Sequence, residues 1–378
     1  MLHKPHQTIT KHFASLKDPR TGNATQHRLL DILVIAICAS ICGADTWVDV
    51  ETWGRAKEKW LREFLELPNG IPSHDTFGRI FALLDPEEFR KGFLSWIRAI
   101  QKLTHRQVIA LDGKKLRRSH DRPLGKKAIA MVSAWATTNH LVLGQVKVRS
   151  QSNEITAIPE LLRWLEVSGC IVTIDAIGCQ PKIAAKIVNK EADYVLAVKQ
   201  NQGQLFEDLK DLFAGCQEAR FRQVPHDHIK TTEKGHGRIE IRECWTLADA
   251  EFLDYLRRRE AWPKLQTVAM VRAERRIGTK RSRETRYYIT SVENDAALIL
   301  ESIRAHWGIE NGLHWVLDIG FREDESRVRK DHAPENMAVL RHIALNLLKQ
   351  EQTTKIGIKA KRLKAAWDQD YLLKVLSG

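Results

Sequence analysis

Residues 108–112 are VIALD and residues 171–175 are IVTID. Each run is short, aliphatic and β-branched, and Gly113 or Ala176 follows its aspartate at once, so both runs are predicted to be strands. The strands would end at Asp112 and Asp175. Strand ends place their last side chains at one edge of a parallel or mixed sheet, where open α/β folds keep their ligand sites. The two aspartates are therefore expected to meet at that edge.

A third acidic residue, Glu310, lies in the segment HWGIENGLHW at residues 306–315, which has helical periodicity. A helix beside the sheet edge can supply a third oxygen ligand. Three neighbouring carboxylates repel one another unless a hard divalent cation neutralises them, and Mg²⁺ prefers oxygen ligands. The sequence therefore predicts a Mg²⁺ site formed by Asp112, Asp175 and Glu310.

The segment from residue 106 onward predicts the fold around these acids. Strands are predicted at VIALD, AIAMVSAWATT, LVLGQVKV, CIVTID and YVLAVK, and helices at ITAIPELLRWLEV and PKIAAKIVNK. The order β-β-β-α-β-α-β predicts an α/β domain with a ribonuclease-H-like mixed sheet. Alternating segments rich in Arg, Thr and Tyr then predict an antiparallel β insertion at about residues 220–292, before a helix that starts near Asp295.

Three parts of the chain are predicted: an all-helical N-terminal domain at 1–105, the α/β domain at 106–350 and a basic C-terminal tail at 351–378. The apolar segment 32–44 is shorter than the ~20 residues of a membrane span and is predicted to be a core helix. Ser73 and Asp85 are predicted N-caps. Short helices joined by tight turns favour a helix-turn-helix-like DNA-binding unit, and a helical domain that only packs is equally compatible.

The composition favours a nucleic-acid partner. Lys and Arg number 60 and Asp and Glu number 47, which leaves a formal net charge of +13. This excess predicts a polyanionic partner, nucleic acid before membrane. The six cysteines form no CxxC pair, which favours a reducing cytosol and no structural zinc. The first residues, MLHKPHQTIT, lack an apolar signal core, so export is not predicted.

With these motifs the chain resembles the DDE transposases of bacterial insertion sequences, specifically the H-repeat-associated branch. The blocks that carry the resemblance are DPR, HRLLDILVIAICASICGA, GIPSHDTFGRIF, IALDGKKLRRS, IVTIDAIGCQ, DYVLAVKQNQ, GHGRIEIR and HWGIENGLHWVLDIGFRED. The resemblance covers nearly the whole chain in one order. It implies DNA strand cleavage and strand transfer at the ends of an insertion sequence. Terminal inverted repeats and target DNA would be the double-stranded partners, bound by a homodimer in the cytoplasm at the nucleoid.

The resemblance also implies catalysis by Asp112, Asp175 and Glu310 with two Mg²⁺ ions, for which Mn²⁺ can substitute. Asp112 would bridge both ions, with Asp175 on one and Glu310 on the other. The broader superfamily usually has an arginine four positions before the last acid and a lysine seven after it. Here those positions hold His306 and Leu317, so the corresponding phosphate contacts are unassigned.

Basic residues beside the predicted strand ends are candidates for DNA contacts, because each neutralised phosphate strengthens binding. They are Lys114, Lys115, Arg117 and Arg118 after the first strand, Lys199 after the fifth strand, and His236 and Arg238 in the insertion. A solvated surface charge is the alternative for each of them. For the GHGR segment, a turn followed by an edge strand is an equally good interpretation.

Two alternatives concern the third ligand. His306, Glu310 and His314 are spaced four apart and share one helical face, as a zinc site would also require. The HExxH spacing that pairs two histidines with a glutamate base is absent, which disfavours zinc. Asp318 is the substitute for Glu310 if the helix is rotated from this interpretation.

Other side chains of the same region are predicted to be structural. Ile303, Trp307 and Leu317 have helical spacing and are predicted to lie in the core. The acidic run Glu323–Glu325 is predicted to be a solvated loop. Two alternative functions remain open: a nuclease of the same fold that only hydrolyses DNA, and an inactive DNA-binding descendant of a transposase.

Overall fold

Helices fill the N-terminal part of the chain in the computed structural model, which describes residues 7–120, 125, 127–149, 153–235 and 237–377. They are α1 (Gln7–Phe13), α2 (Leu29–Ile41), α3 (Trp47–Ala56), α4 (Glu58–Leu61), α5 (His74–Leu83) and α6 (Pro86–Ile100). Helix α2 is buried along nearly its whole length, as predicted for 32–44. The predicted caps Ser73 and Asp85 are confirmed, because their side chains accept backbone N–H groups at the starts of α5 and α6.

The central strands and helices follow the predicted order. They are β1 (Val108–Lys115), β2 (Ala130–Ala136), β3 (Leu141–Lys147), α7 (Glu154–Trp164), β4 (Ile171–Ile174), α8 (Pro181–Val188), β5 (Asp193–Val198) and α9 (Gly203–Glu218). Strand β1 pairs antiparallel with β2 and parallel with β4, and β4 pairs parallel with β5. Parallel pairing of β1 with β4 brings Asp112 and Asp175 side by side, because each follows the last residue of that pairing, Leu111 on β1 and Ile174 on β4. Strand β1 continues to Lys115, so the prediction that it ends at Asp112 is wrong.

The insertion extends this sheet. Its elements are β6 (Asp227–Gly235), β7 (Arg238–Leu247), α10 (Ala250–Asp254), β8 (Thr267–Ile277) and β9 (Lys280–Thr290), and the four strands pair antiparallel as predicted. Strand β9 also pairs antiparallel with β5, with Leu196 opposite Ile289. The result is one nine-stranded mixed sheet in the order β3-β2-β1-β4-β5-β9-β8-β7-β6. This joining of the insertion to the central strands was not predicted.

Helices form the rest of the chain after the sheet. They are α11 (Ala296–His306), a π-helical turn (Glu310–His314), α12 (Trp315–Phe321), α13 (Ala333–Gln350), α14 (Ile358–Trp367) and α15 (Gln369–Ser377). Helix α11 starts where predicted, with Asp295 Oδ1 accepting the Leu298 N–H at 2.8 Å. A carboxylate of the insertion holds the same helix end, because Asp227 Oδ2 accepts the Ala296 N–H at 2.8 Å.

One hydrophobic core joins the N-terminal and C-terminal helices. Helices α2, α5 and α6 pack on α13, and Asn336 Nδ2 donates to the carbonyl oxygens of Phe81 at 2.9 Å and Leu84 at 2.8 Å. The segment predicted as a basic tail forms α14 and α15. Its Arg362 is buried and donates to Ser40 O at 3.0 Å. Among the described residues, no helix combines the length and apolarity needed to cross a membrane.

Candidate active site

Three acidic residues from separate elements line one cavity of about 180 Å³. Asp112 lies on β1, Asp175 follows β4 directly, and Glu310 begins the π-helical turn after α11. The structure thus brings together all three acids that the sequence singled out. Their exposure differs, because the Asp112 side chain is 17% exposed and that of Glu310 is 54% exposed.

Local backbone geometry holds the two aspartates. Asp112 Oδ1 accepts the Gly113 N–H at 2.8 Å. Asp175 caps a short 3₁₀ turn, with Oδ1 accepting the Ile177 N–H at 3.2 Å. The π-helical turn that carries Glu310 widens the helix by one residue, a local distortion that is frequent at functional sites.

His314 forms the tightest group of possible ligands with two of the acids. Its Nδ1 lies 3.4 Å from Asp112 Oδ2 and 3.6 Å from Glu310 Oε2. One ligand atom from each of these three residues lies within 4.8 Å of the others. Asp175 lines the same cavity but is not part of this group. Burial lowers the pKa of His314, although Glu310 opposes this effect. The ring is therefore neutral near pH 7, and a neutral imidazole can offer a nitrogen lone pair to a cation.

The carboxylates repel one another in a partly dry environment. Burial, together with the charges of Glu310, Asp175 and Glu154, raises the pKa of Asp112 to about 7, against the lowering effect of the Gly113 hydrogen bond. A divalent cation would relieve both the repulsion and the desolvation. The donor set is mostly carboxylate oxygen, which fits Mg²⁺ or Mn²⁺ rather than the nitrogen and sulfur ligands of structural zinc.

Glu154 is a fourth carboxylate of the site, and the sequence analysis missed it. It is the first residue of α7, and its carboxylate lies beside Gly113. A Cβ atom added at position 113 would lie 2.2 Å from Glu154 Oε1. Only glycine at position 113 leaves this space beside Asp112. Burial raises the pKa of Glu154, and Asp175 adds to the effect. A glycine directly after a strand-end aspartate was the available signal, although it does not identify the partner.

Lys114 points inward, contrary to its prediction as a phosphate contact. Its Nζ donates to Asp318 Oδ1 at 2.5 Å and to Glu323 Oε2 at 2.8 Å, and its side chain is 12% exposed. Burial opposes the charge on Lys114, but Glu323 and Asp318 outweigh burial and raise its pKa. Glu323 is buried beside Arg341 as well, at 3.6 Å, so it does not belong to a solvated loop. Asp318 is held by this network and is a poor substitute for Glu310.

The other predicted DNA contacts lie on the surface. Lys115, Arg117, Arg118, Lys199 and Arg238 are exposed, and His236 lies outside the described residues. Lys199 lines the cavity of the three acids. Arg117 is paired with Asp324 at 3.1 Å, and Arg238 with Glu240 at 3.1 Å. Of these five exposed residues, Lys199 is the one that lines the cavity of the acids.

Trp307 lies at the mouth of the cavity and not in the core. Ile303 and Leu317 are buried as predicted, whereas Trp307 is 49% exposed. The guanidinium of Arg286 lies 5.0 Å from the Trp307 ring centroid, and both residues line the cavity. They also line a larger cleft of about 800 Å³ that continues along the insertion. The acids thus lie at one end of a longer channel.

Replacing Asp112 by Asn should stabilise the metal-free protein near pH 8. Burial, with the neighbouring carboxylates, raises the pKa of Asp112 from 3.8 to about 7. The free-energy cost of ionising Asp112 in the folded protein is therefore absent below pH 3.8, grows between the two values and is complete above about pH 7. The gain in unfolding free energy is at most about 4 kcal/mol. Urea denaturation in a chelator measures it, and the gain should nearly vanish at about pH 4. An equal gain at both pH values would contradict this account of Asp112.

The sheet and the helical segment after α11 bring three acidic side chains to one cavity. This arrangement is typical of metal-dependent enzymes that act on phosphodiesters. Residues 10–97 match the family model described as DDE_Tnp_1-associated, and residues 103–347 match the one described as transposase DDE domain. The chain belongs to the DDE transposase family.

Similar proteins of known sequence align with nearly the whole length of this chain. "Putative transposase YncI" of Escherichia coli O157:H7 is 40% identical over 373 residues, which cover 98% of this chain and 95% of that protein. "H repeat-associated putative transposase YhhI" of Escherichia coli K12 is 38% identical over 376 residues, which cover 98% of this chain and 98% of that protein. Among solved structures, a piggyBac transposase synaptic complex with hairpin DNA shares 12% identity at a TM-score of 0.46, covering 98% of this chain and 78% of that one.

Proposed function

We propose that this protein cleaves DNA at the ends of an insertion sequence and joins the freed ends to target DNA, in the cytoplasm at the nucleoid. The observation that carries the proposal is the convergence of Asp112, Asp175 and Glu310 on one cavity. Membership of the DDE transposase family supports it. The order β3-β2-β1-β4-β5, with β2 antiparallel to the other four strands, supports a ribonuclease-H-like core.

In this proposal Asp112, Asp175 and Glu310 hold two Mg²⁺ ions, or Mn²⁺ in their place. When bound, such ions activate an oxygen nucleophile and stabilise the leaving oxygen of the phosphodiester. The protein contributes the fixed positions of the acids, on β1, directly after β4 and on the π-helical turn. Asp112, the most buried of the three, would hold the ions together with Asp175 and Glu310. Lys199 at the cavity wall provides positive charge for the phosphate of the scissile strand.

The N-terminal helices would bind the terminal inverted repeats. A cleft of about 1000 Å³ separates α3 and α5 from the segment that follows α12, and it supports this assignment. Its walls include the exposed side chains of Arg79, Arg322 and Arg327. Arg329 in the same segment donates to Arg118 O at 3.0 Å, so the cleft adjoins the loop that leads back to Asp112. A homodimer would bring two element ends together.

A gel assay with the full-length protein tests the proposed function. Labelled duplexes that carry an element end are incubated with the protein with and without Mg²⁺, together with a supercoiled target plasmid. Cuts at the element end and joined products that require Mg²⁺ are expected. Cleavage without joining would favour the nuclease alternative, and binding without cleavage would favour the inactive DNA-binding alternative.

Variants of Lys115 and Arg118 test whether these two side chains contact DNA. Replacing either by Ala should weaken DNA binding on every sequence and reduce the slope of log K against log salt by about 1, because one phosphate contact is lost. Fluorescence anisotropy at several salt concentrations measures both quantities. Lys210→Ala on α9 is the matched control, since Lys210 is exposed and paired with Glu207 at 3.2 Å. An unchanged slope in both variants would show that these side chains face only solvent.

A further inference from the structure

The ring of His314 is buried beside Asp112 and Glu310, and its contacts with both carboxylates are long. Its side chain is 7% exposed. Its contacts from Nδ1 to Asp112 Oδ2 at 3.4 Å and to Glu310 Oε2 at 3.6 Å exceed the about 2.7–3.2 Å of ordinary N–H···O hydrogen bonds. Nε2 has no hydrogen-bond partner within the described part of the chain. Nδ1 is the ring nitrogen that faces both carboxylates without a hydrogen bond of ordinary length, and a cation between the three groups would satisfy it.

The geometry suits a cation that all three side chains share. One ligand atom each from Asp112, Glu310 and His314 lies within 4.8 Å of the other two. Atoms bound to one cation at about 2.1 Å are up to ~4.2 Å apart, so a small inward adjustment completes the set. The residues come from β1 and from the two ends of the π-helical turn Glu310–His314.

We propose that His314 Nδ1 is a nitrogen ligand of the divalent cation held by Asp112 and Glu310, which makes this site prefer Mn²⁺ over Mg²⁺. The inference rests on the proposed function, because it assigns a further ligand at the same site. Imidazole favours transition metals, whereas Mg²⁺ favours oxygen and keeps its waters. One imidazole among carboxylates therefore shifts the selectivity toward Mn²⁺.

His306 provides the matched comparison. It precedes Glu310 by four residues, as His314 follows it by four, and unlike His314 it lines the cavity. Its Nδ1 lies 3.0 Å from Thr173 Oγ1, a hydrogen bond within the protein. The corresponding nitrogen of His314 faces the two carboxylates instead. The two histidines therefore differ in whether Nδ1 is engaged by a hydrogen bond of ordinary length within the protein.

Pulsed electron paramagnetic resonance of Mn²⁺ bound to the full-length protein without DNA tests the assignment, since it detects a directly coordinated ¹⁴N. The wild type and His306→Asn should show the nitrogen coupling, and His314→Asn should lose it. The Asn oxygen can take the place of Nδ1, so the variant should still bind metal. Its Mn²⁺ affinity should fall by about tenfold, with little change for Mg²⁺ in competition titrations.

Each other outcome overturns the proposal. Nitrogen coupling that persists in His314→Asn and disappears in His306→Asn would assign the ligand to His306. Saturable Mn²⁺ binding without nitrogen coupling would overturn the His314 assignment and leave the three-acid site intact. The absence of saturable binding of either cation would overturn both the assignment and the proposed function. Circular dichroism of the variants shows whether a loss of binding reflects unfolding.

Discussion

Asp112→Asn, Asp175→Asn and Glu310→Gln should each lower Mg²⁺-dependent strand cleavage by roughly 10³-fold or more, or ~4 kcal/mol in the activation barrier. Each replacement keeps the shape of the side chain and removes the charge that holds a cation. DNA binding should persist, because the three acids contribute no attraction to phosphate. Cleavage of a labelled element end, followed over time on a sequencing gel, measures the rate, and anisotropy measures binding.

Glu301→Gln is the matched control for these variants. Glu301 is exposed on α11, in the helix that leads to Glu310, and it is absent from the cavity lining. The control should cleave at the wild-type rate. If Glu310→Gln also cleaved at that rate, the third ligand would lie elsewhere. If all three acid variants lost DNA binding together with cleavage, a folding defect would be the simpler explanation.

Lys114→Met should lower the free energy of unfolding by about 3–5 kcal/mol, because breaking a buried ion pair leaves its partners uncompensated. Asp318 would lose its cation, and Glu323, whose side chain is 2% exposed, would keep only Arg341 at 3.6 Å. The pKa of Glu323 is now lowered, since Lys114 and Arg341 outweigh its burial. Urea denaturation followed by fluorescence measures the loss.

Lys115→Met is the control for this prediction, because Lys115 is the next residue and is exposed. It should unfold at nearly the wild-type urea concentration and bind DNA more weakly. The two variants thus separate a lysine that stabilises the fold from one that meets the solvent. Equal stability of both variants would show that the inward ion pairs of Lys114 contribute nothing to folding.

Local patterns predicted the elements that carry the site. The runs before Asp112 and Asp175 are aliphatic and β-branched, and such runs form buried strands whatever surrounds them. Ser73, Asp85 and Asp295 were recognisable as helix starts because an N-cap acts within its own turn. The parallel pairing of β1 with β4 then brings together Asp112 and Asp175, each of which follows the last paired residue of its strand.

Contacts between distant segments were beyond such reasoning. Lys114 lies 204 residues before Asp318, and no local pattern distinguishes it from Lys115, which faces solvent. Glu154 reaches the site only because Gly113 leaves space for it. Trp307 has the spacing of a buried helical stripe, but it is the C-cap residue after α11 and its side chain is exposed. Each of these wrong or missing predictions reflects contacts between distant segments, which a local sequence pattern does not contain.

The pairing of β9 with β5 has a mechanical consequence. A hydrogen-bonded sheet resists shear between its strands, so the insertion and the central strands form one stiff plate with no hinge between them. The far strand of that plate, β6, also holds the start of α11 through Asp227 and Ala296. A duplex that pressed on the insertion would therefore transmit force to the helix that leads to Glu310. In this arrangement the load of bound DNA and the alignment of the acidic residues are coupled.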